Sequence, residues 1–84
     1  LVRTLARQLG PKSIRVNALL PGWTMTERQR NLWVDKDAEC EIVRSQCLPG
    51  YVMPDDVARM ALFLSADDSH MCTQQTFIVD GGWV

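Results

Sequence analysis

Ile14-Arg15-Val16-Asn17-Ala18-Leu19-Leu20-Pro21-Gly22-Trp23-Thr24-Met25-Thr26 carries the strongest local signal in this chain. Ile14, Val16, Ala18 and Leu20 alternate with Arg15, Asn17 and Leu19, and the β-branched content predicts a strand with a well-buried face. Pro21 has no N–H for a ladder and Gly22 admits backbone angles that other residues avoid, so the strand stops there. Hydroxyl-bearing residues follow. Thr24 or Thr26 can cap a helix, and Thr26 with Gln29 fits the capping-box pattern. In an α/β domain the carboxyl end of a strand is where ligands sit.

Upstream, Leu1, Val2, Leu5, Ala6 and Leu9 form the apolar stripe of a helix, and Gly10-Pro11 ends it, with Gly10 suited to a left-handed cap. No capping residue or acidic first turn precedes the stripe. The expectation is a chain that opens in mid-helix, the rest of its domain lying upstream. Downstream, Leu32 and Trp33 give an apolar patch before Asp35-Lys36-Asp37. A helix is predicted from Asp37 to Gln46, with Cys40, Val43 and Cys47 on one face and Leu48-Pro49-Gly50 closing it. Pro54-Asp55-Asp56 opens another helix, because proline suits the first position and carboxylates favour the first turn. Val57, Ala58, Met60, Ala61, Leu62 and Leu64 follow at helical spacing, to about Ser65. A polar loop, Ala66 to Ser69, comes next, and Thr76-Phe77-Ile78-Val79 is a short strand stopped by Asp80-Gly81-Gly82. Strand, helices, strand implies a parallel pair with a helical crossover, and two strands cannot complete a parallel sheet.

Bulk properties exclude several classes. The 84 residues make at most one domain, and a chain of this size buries only roughly 60% of its unfolded surface. A net charge of −1 with no basic stripe argues against nucleic acid as a partner. No apolar run approaches the roughly 18 residues of a membrane span, and no secretory leader is recognisable, so a cytoplasmic location is expected. The three cysteines, Cys40, Cys47 and Cys72, include no Cys-x-x-Cys pair, so they read as small buried hydrophobes rather than disulfide or zinc partners. His70 and Cys72 alone make a poor metal site.

Several of these segments, taken together, resemble the carboxyl-terminal part of the short-chain dehydrogenase/reductase family. The resemblance rests on Ile14-Arg15-Val16-Asn17, then Pro21-Gly22 and Thr26, Pro54-Asp55-Asp56-Val57-Ala58, Phe63-Leu64-Ser65 with Asp67-Asp68, and Val79-Asp80-Gly81-Gly82. It spans nearly the whole chain in the family's order and spacing. Pro21 to Thr24, Glu27-Arg28-Gln29, Trp33, Gln46-Cys47-Leu48 and Met71-Cys72-Thr73 are most similar to the sugar (aldose) 1-dehydrogenases of that family. The fold implied is a single partial α/β domain over residues 1–84: the last two strands and flanking helices of a Rossmann-like, doubly wound parallel sheet.

The resemblance also implies a function. The chain would be part of an oxidoreductase that passes hydride from the anomeric carbon of an aldose to NAD or NADP. The backbone of Pro21, Gly22, Trp23 and Thr24 would meet the nicotinamide carboxamide, with Thr26 adding a hydroxyl, and residues 27–53 would be the substrate loop. Arg28, Gln29 and Trp33 are the sugar-binding candidates, with Trp23 a further one, since a pyranose suits polar groups beside an aromatic platform. The family's glycine-rich turn and catalytic Ser, Tyr and Lys have no counterpart. The single tyrosine is Tyr51, and neither Lys12 nor Lys36 completes a Tyr-x-x-x-Lys pair. No catalytic residue is therefore assigned, and the isolated chain is expected to be inactive. Alternatives are a truncated, non-catalytic member serving association, or a ketone or acyl-chain reductase of the same family. Homo-oligomerisation through Val57 to Leu64 and Phe77 to Val79 is implied as well. Two departures from the family pattern stand out: Tyr51 replaces a common arginine, and Gln74 replaces a glycine at a position where a Cβ opposes a left-handed turn.

Overall fold

The computed structural model describes residues 1–25 and 36–84, with side chains from Glu39 onward in the second segment. Its elements are α1 (Val2–Leu9), β1 (Ala18–Pro21), α2 (Lys36–Ser45), α3 (Pro54–Ser65) and β2 (Thr76–Val79), with single 3-10 turns at Gly10–Lys12 and Asp67–Ser69. The strands pair in parallel, with Ala18, Leu19, Leu20 and Pro21 opposite Thr76, Phe77, Ile78 and Val79. In this register alternate residues of β1 donate: Ala18 N reaches Gln75 O at 2.9 Å and Gly22 N reaches Val79 O at 2.8 Å. Pro21 falls at a non-donating position. Its missing N–H therefore costs the ladder nothing, and it closes the strand from within it.

Residues Ile14 to Asn17, expected to begin the strand, are instead tied down by polar side chains. Val16 N donates to Thr73 Oγ1 at 3.1 Å, Asn17 Nδ2 to Cys72 O at 2.9 Å, and Gln75 N to Asn17 Oδ1 at 3.1 Å. Arg15 extends the same tie, donating to Leu64 O at 2.8 Å, Ser69 Oγ at 3.1 Å and Cys72 O at 3.3 Å. A cation on a carboxyl-terminal carbonyl of α3 also meets the negative end of that helix. Ser69, read as part of a polar loop, is completely buried, its hydroxyl placed to bond the carbonyls of Leu64 and Ala66 at 3.0 Å each.

The helix termini follow local chemistry. At the end of α1, Gly10 keeps a right-handed φ of −54° and the chain continues into the 3-10 turn. The left-handed position expected at Gly10 falls on Ser13, φ 61°, because Pro11, with its fixed φ, is accommodated at the start of that turn. At the start of α3, Met53 N donates to Asp56 Oδ2 at 2.8 Å, which satisfies an orphan donor and sets a carboxylate in the first turn.

The buried residues in the described part are Ala6, Met25, Ile42 and Val52, with Ser45, Gln46 and Ser69. This corrects the expected face of α2. Cys40 and Val43 are exposed, as is Cys47 beyond the helix, and the buried positions are Ile42, Ser45 and Gln46 at helical spacing. Two of these carry polar side chains that find partners: Ser45 Oγ on Glu41 Oε1 at 3.1 Å, Gln46 Nε2 on Leu48 O and Gly50 O at 2.7 and 2.8 Å. Burial there follows hydrogen-bond satisfaction as much as hydropathy. Cys72 is half-buried, so the cysteines are not the core residues expected.

No helix among the described residues is long and apolar enough to cross a membrane.

Candidate functional site

The carboxyl end of β1 is clamped from two sides. A Cβ on Gly22 would stand 2.4 Å from Asp80 Cβ and 2.7 Å from its Cα. Only glycine lets the two chains approach this closely. Beyond it Thr24 bridges in parallel to Val52, and Met25 N donates to Val52 O at 2.7 Å. The Thr24 hydroxyl donates back to Gly22 O at 3.2 Å. Between these clamps the amides of Trp23 and Thr24 have no hydrogen-bond partner among the described residues. They are fixed donors at a strand end.

The opposite wall is built by the turn that leaves β2. Asp80 Oδ1 accepts from Gly82 N at 2.8 Å, and Gly81 and Gly82 take φ values of 71° and 82°. Both glycines press on the end of α2, where a Cβ on Gly81 would meet Gln46 Cδ at 2.7 Å. Cys47 N and Leu48 N donate to the carbonyls of Gly82 and Gly81 at 2.7 and 2.9 Å. The turn delivers Trp83 onto Trp23, with ring centroids 6.4 Å apart and planes inclined by 28°. Gly22, Trp23, Asp80 and Trp83 together line a cleft of about 540 Å³. That volume lies within the range of small-molecule sites.

Gly22, Trp23 and Thr24 are thus brought together at one edge, with Pro21 ending the strand below them. Thr26, Arg28, Gln29, Leu32 and Trp33 lie outside the described residues, as does the expected Thr26–Gln29 capping box. Asp80 and Trp83 carry no site signal of their own in the sequence. Asp80-Gly81-Gly82 reads there as a strand stop, and the aromatic residue after the paired glycines is the signal that places a ring beside the strand end. Gln74 takes φ 61°, the left-handed conformation for which its Cβ is unsuited. Tyr51 is exposed, its hydroxyl 3.3 Å from Glu39 Oε1.

A family model described as enoyl-(acyl carrier protein) reductase matches residues 1–84. The chain belongs to the short-chain dehydrogenase/reductase family, a family of oxidoreductases. Over 83 residues it is 43% identical to D-xylose 1-dehydrogenase of Caulobacter vibrioides, covering 99% of this chain and 33% of that protein. Over 82 residues it is 45% identical to a probable galactose dehydrogenase of Rhizobium meliloti, covering 98% of this chain and 32% of that one. Among solved structures, a 4-hydroxyisoleucine dehydrogenase complexed with NADH superposes with a TM-score of 0.90 at 29% identity, over 99% of this chain and 34% of that one. A 3-oxoacyl-[acyl-carrier protein] reductase from Brucella melitensis does so with a TM-score of 0.89 at 36% identity, over 98% and 30%. The chain spans about a third of the length of the curated relatives it matches. Its fold is accordingly part of a Rossmann-like doubly wound sheet, two strands with their flanking helices.

Proposed function

We propose that this chain supplies the nicotinamide-facing and sugar-facing edge of an NAD(P)-dependent aldose 1-dehydrogenase. The observation that carries this reading is the pair of amides at Trp23 and Thr24, without a partner among the described residues and held at a strand end beside an aromatic-lined cleft. Similarity to D-xylose and galactose dehydrogenases supports the sugar class.

A carboxamide needs both a donor and an acceptor, and backbone groups that have left a ladder provide them. Gly22 to Thr24 would therefore hold the carboxamide of the nicotinamide ring, with Thr26 adding a hydroxyl. When bound, the cofactor supplies a two-electron acceptor for the hydride from the sugar C1–H. The C1 hydroxyl proton goes to a base outside these 84 residues, and the sugar becomes a lactone. Residues 27–53 form the substrate loop in this reading, with Arg28, Gln29 and Trp33 as its sugar-binding side chains. The 84-residue chain alone has no Tyr-x-x-x-Lys pair, so it is inactive by itself.

The test is reduction of NAD or NADP by a protein that extends this chain upstream through such a pair, offered D-xylose, D-galactose and, separately, ketones with the reduced cofactor. Aldose-dependent reduction is expected. Activity confined to ketones or acyl thioesters would contradict the sugar class and favour a reductase, for which the 36% identity to a 3-oxoacyl reductase is the supporting observation. Self-association is a second reading that an observation favours: Leu62, Phe63 and Ile78 are exposed at 70%, 41% and 61% on α3 and β2. Apolar side chains on Val57 to Leu64 and Phe77 to Val79 suit a symmetric contact with a second copy.

A further inference from the structure

The cleft at the strand end has an apolar and a polar side, and the apolar side comes from two distant parts of the sequence. Trp23 leaves β1 directly. Trp83 is carried there by the Asp80–Gly82 turn, and its position is secured on both flanks: Trp83 bridges antiparallel to Gln46, and Val84 N donates to Ser45 O at 2.8 Å. It is therefore a held residue, and 38% of it remains exposed. With a separation of 6.4 Å and an inclination of 28°, the two indoles stack side by side along the cleft they line.

Beside the indoles, Asp80 has one carboxylate oxygen engaged by Gly82 N, and the other has no partner among the described residues. A carboxylate oxygen accepts hydroxyl donors strongly. An aromatic face next to a carboxylate acceptor matches a cyclic polyol, which presents C–H bonds on its ring face and hydroxyls at its rim. A long acyl chain would use the aromatic faces and give the carboxylate no donor, whereas a ring of hydroxyls supplies one.

We propose that Trp83, with Trp23, is the aromatic wall on which the ring of the aldose packs, Asp80 accepting one of its hydroxyls, so that Trp83 determines preference for cyclic sugars. The proposal rests on the reading of the chain as part of an aldose dehydrogenase.

Its test uses the complete protein carrying this chain, with Trp83→Phe and Trp83→Leu, measuring KM and kcat for D-xylose and D-galactose together with the KM for the cofactor. Trp83→Leu is expected to raise the aldose KM by about fivefold to tenfold, far more than it lowers kcat, as loss of an aromatic contact would. Trp83→Phe keeps a ring and is expected to recover most of that loss, with the cofactor KM unchanged in both. An aldose KM that is the same in all three proteins overturns the proposal while leaving the dehydrogenase reading intact. Equal losses for sugar and cofactor in Trp83→Phe also overturn it, since they mark the ring as a structural support. A wild-type protein that oxidises no aldose overturns the underlying reading, and the proposal with it.

Discussion

At Gln74 a side chain occupies a conformation that favours glycine. Its φ of 61° is locked by Gln74 N donating to Val16 O at 2.8 Å, so the turn cannot relax without losing the tie between Ile14–Asn17 and the β2 approach. Left-handed geometry costs a residue with a Cβ about 1–2 kcal/mol. Gln74→Gly is therefore expected to stabilise the fold by about 1 kcal/mol, part of the gain being offset by glycine's greater unfolded-state entropy. An unchanged or lower thermal midpoint would show that the strain is relieved elsewhere. Arg15 works in the other direction. It serves three acceptors at once, and Arg15→Met would leave Leu64 O and Cys72 O without their cationic donor, at a cost of about 2 kcal/mol. Urea denaturation checks this, and a variant as stable as the parent would mean that water replaces the guanidinium. The sequence foretold the strained Gln74 through its resemblance to a family in which glycine stands there. It did not foretell Arg15, because an alternating apolar pattern with a charged residue in it reads as a strand with a solvated face.

At the level of the elements, the helix starting at Pro54 and the strand Thr76–Val79 are as expected from sequence, since both are bounded by residues with firm local chemistry. Asp56→Ala removes the acceptor for Met53 N and a first-turn carboxylate of α3, and is expected to cost about 1 kcal/mol, read as a lower thermal midpoint. The face that α2 buries differs from the apolar face of its sequence for a physical reason. Cys40, Val43 and Cys47 are the apolar choices, whereas the surface that α2 buries is set by the close approach of Gly81 and Gly82 to Gln46 and Cys47. A sequence pattern carries no record of such backbone contact. The exposed side of α2 has its own electrostatics. The hydrogen bond from Arg44, then that from Ser45, holds the Glu41 carboxyl below its usual range. A depressed carboxylate contributes stability above its unfolded pKa and loses it as pH falls through the lowered folded value. Glu41→Gln should thus be slightly less stable than the parent near neutral pH and equal to it in acid, the difference being small because water screens the pair. A difference that grows on acidification would contradict this.

At the scale of the molecule, few of the described residues are buried, and Leu62, Phe63 and Ile78 of α3 and β2 stay exposed. That accords with a chain spanning about a third of its curated relatives and with a two-stranded piece of a larger sheet. Fold class and strand direction could be read in the order of segments, because a parallel pair requires a crossover. The strand-end edge could be read too, since Pro21 and Gly22 stop the ladder there. The cleft's second wall could not: Asp80 and Trp83 reach the strand end only through the paired glycines and the Gly22–Asp80 contact, which bring distant residues together. The central claim is that this edge meets the nicotinamide. It is tested most directly by amide chemical shifts of the complete, isotope-labelled protein titrated with NADH and with NADPH. The Trp23 and Thr24 amides are expected to be among the most strongly shifted signals of this chain with at least one of the two. Saturable binding of either cofactor that leaves both amides unmoved would contradict the account.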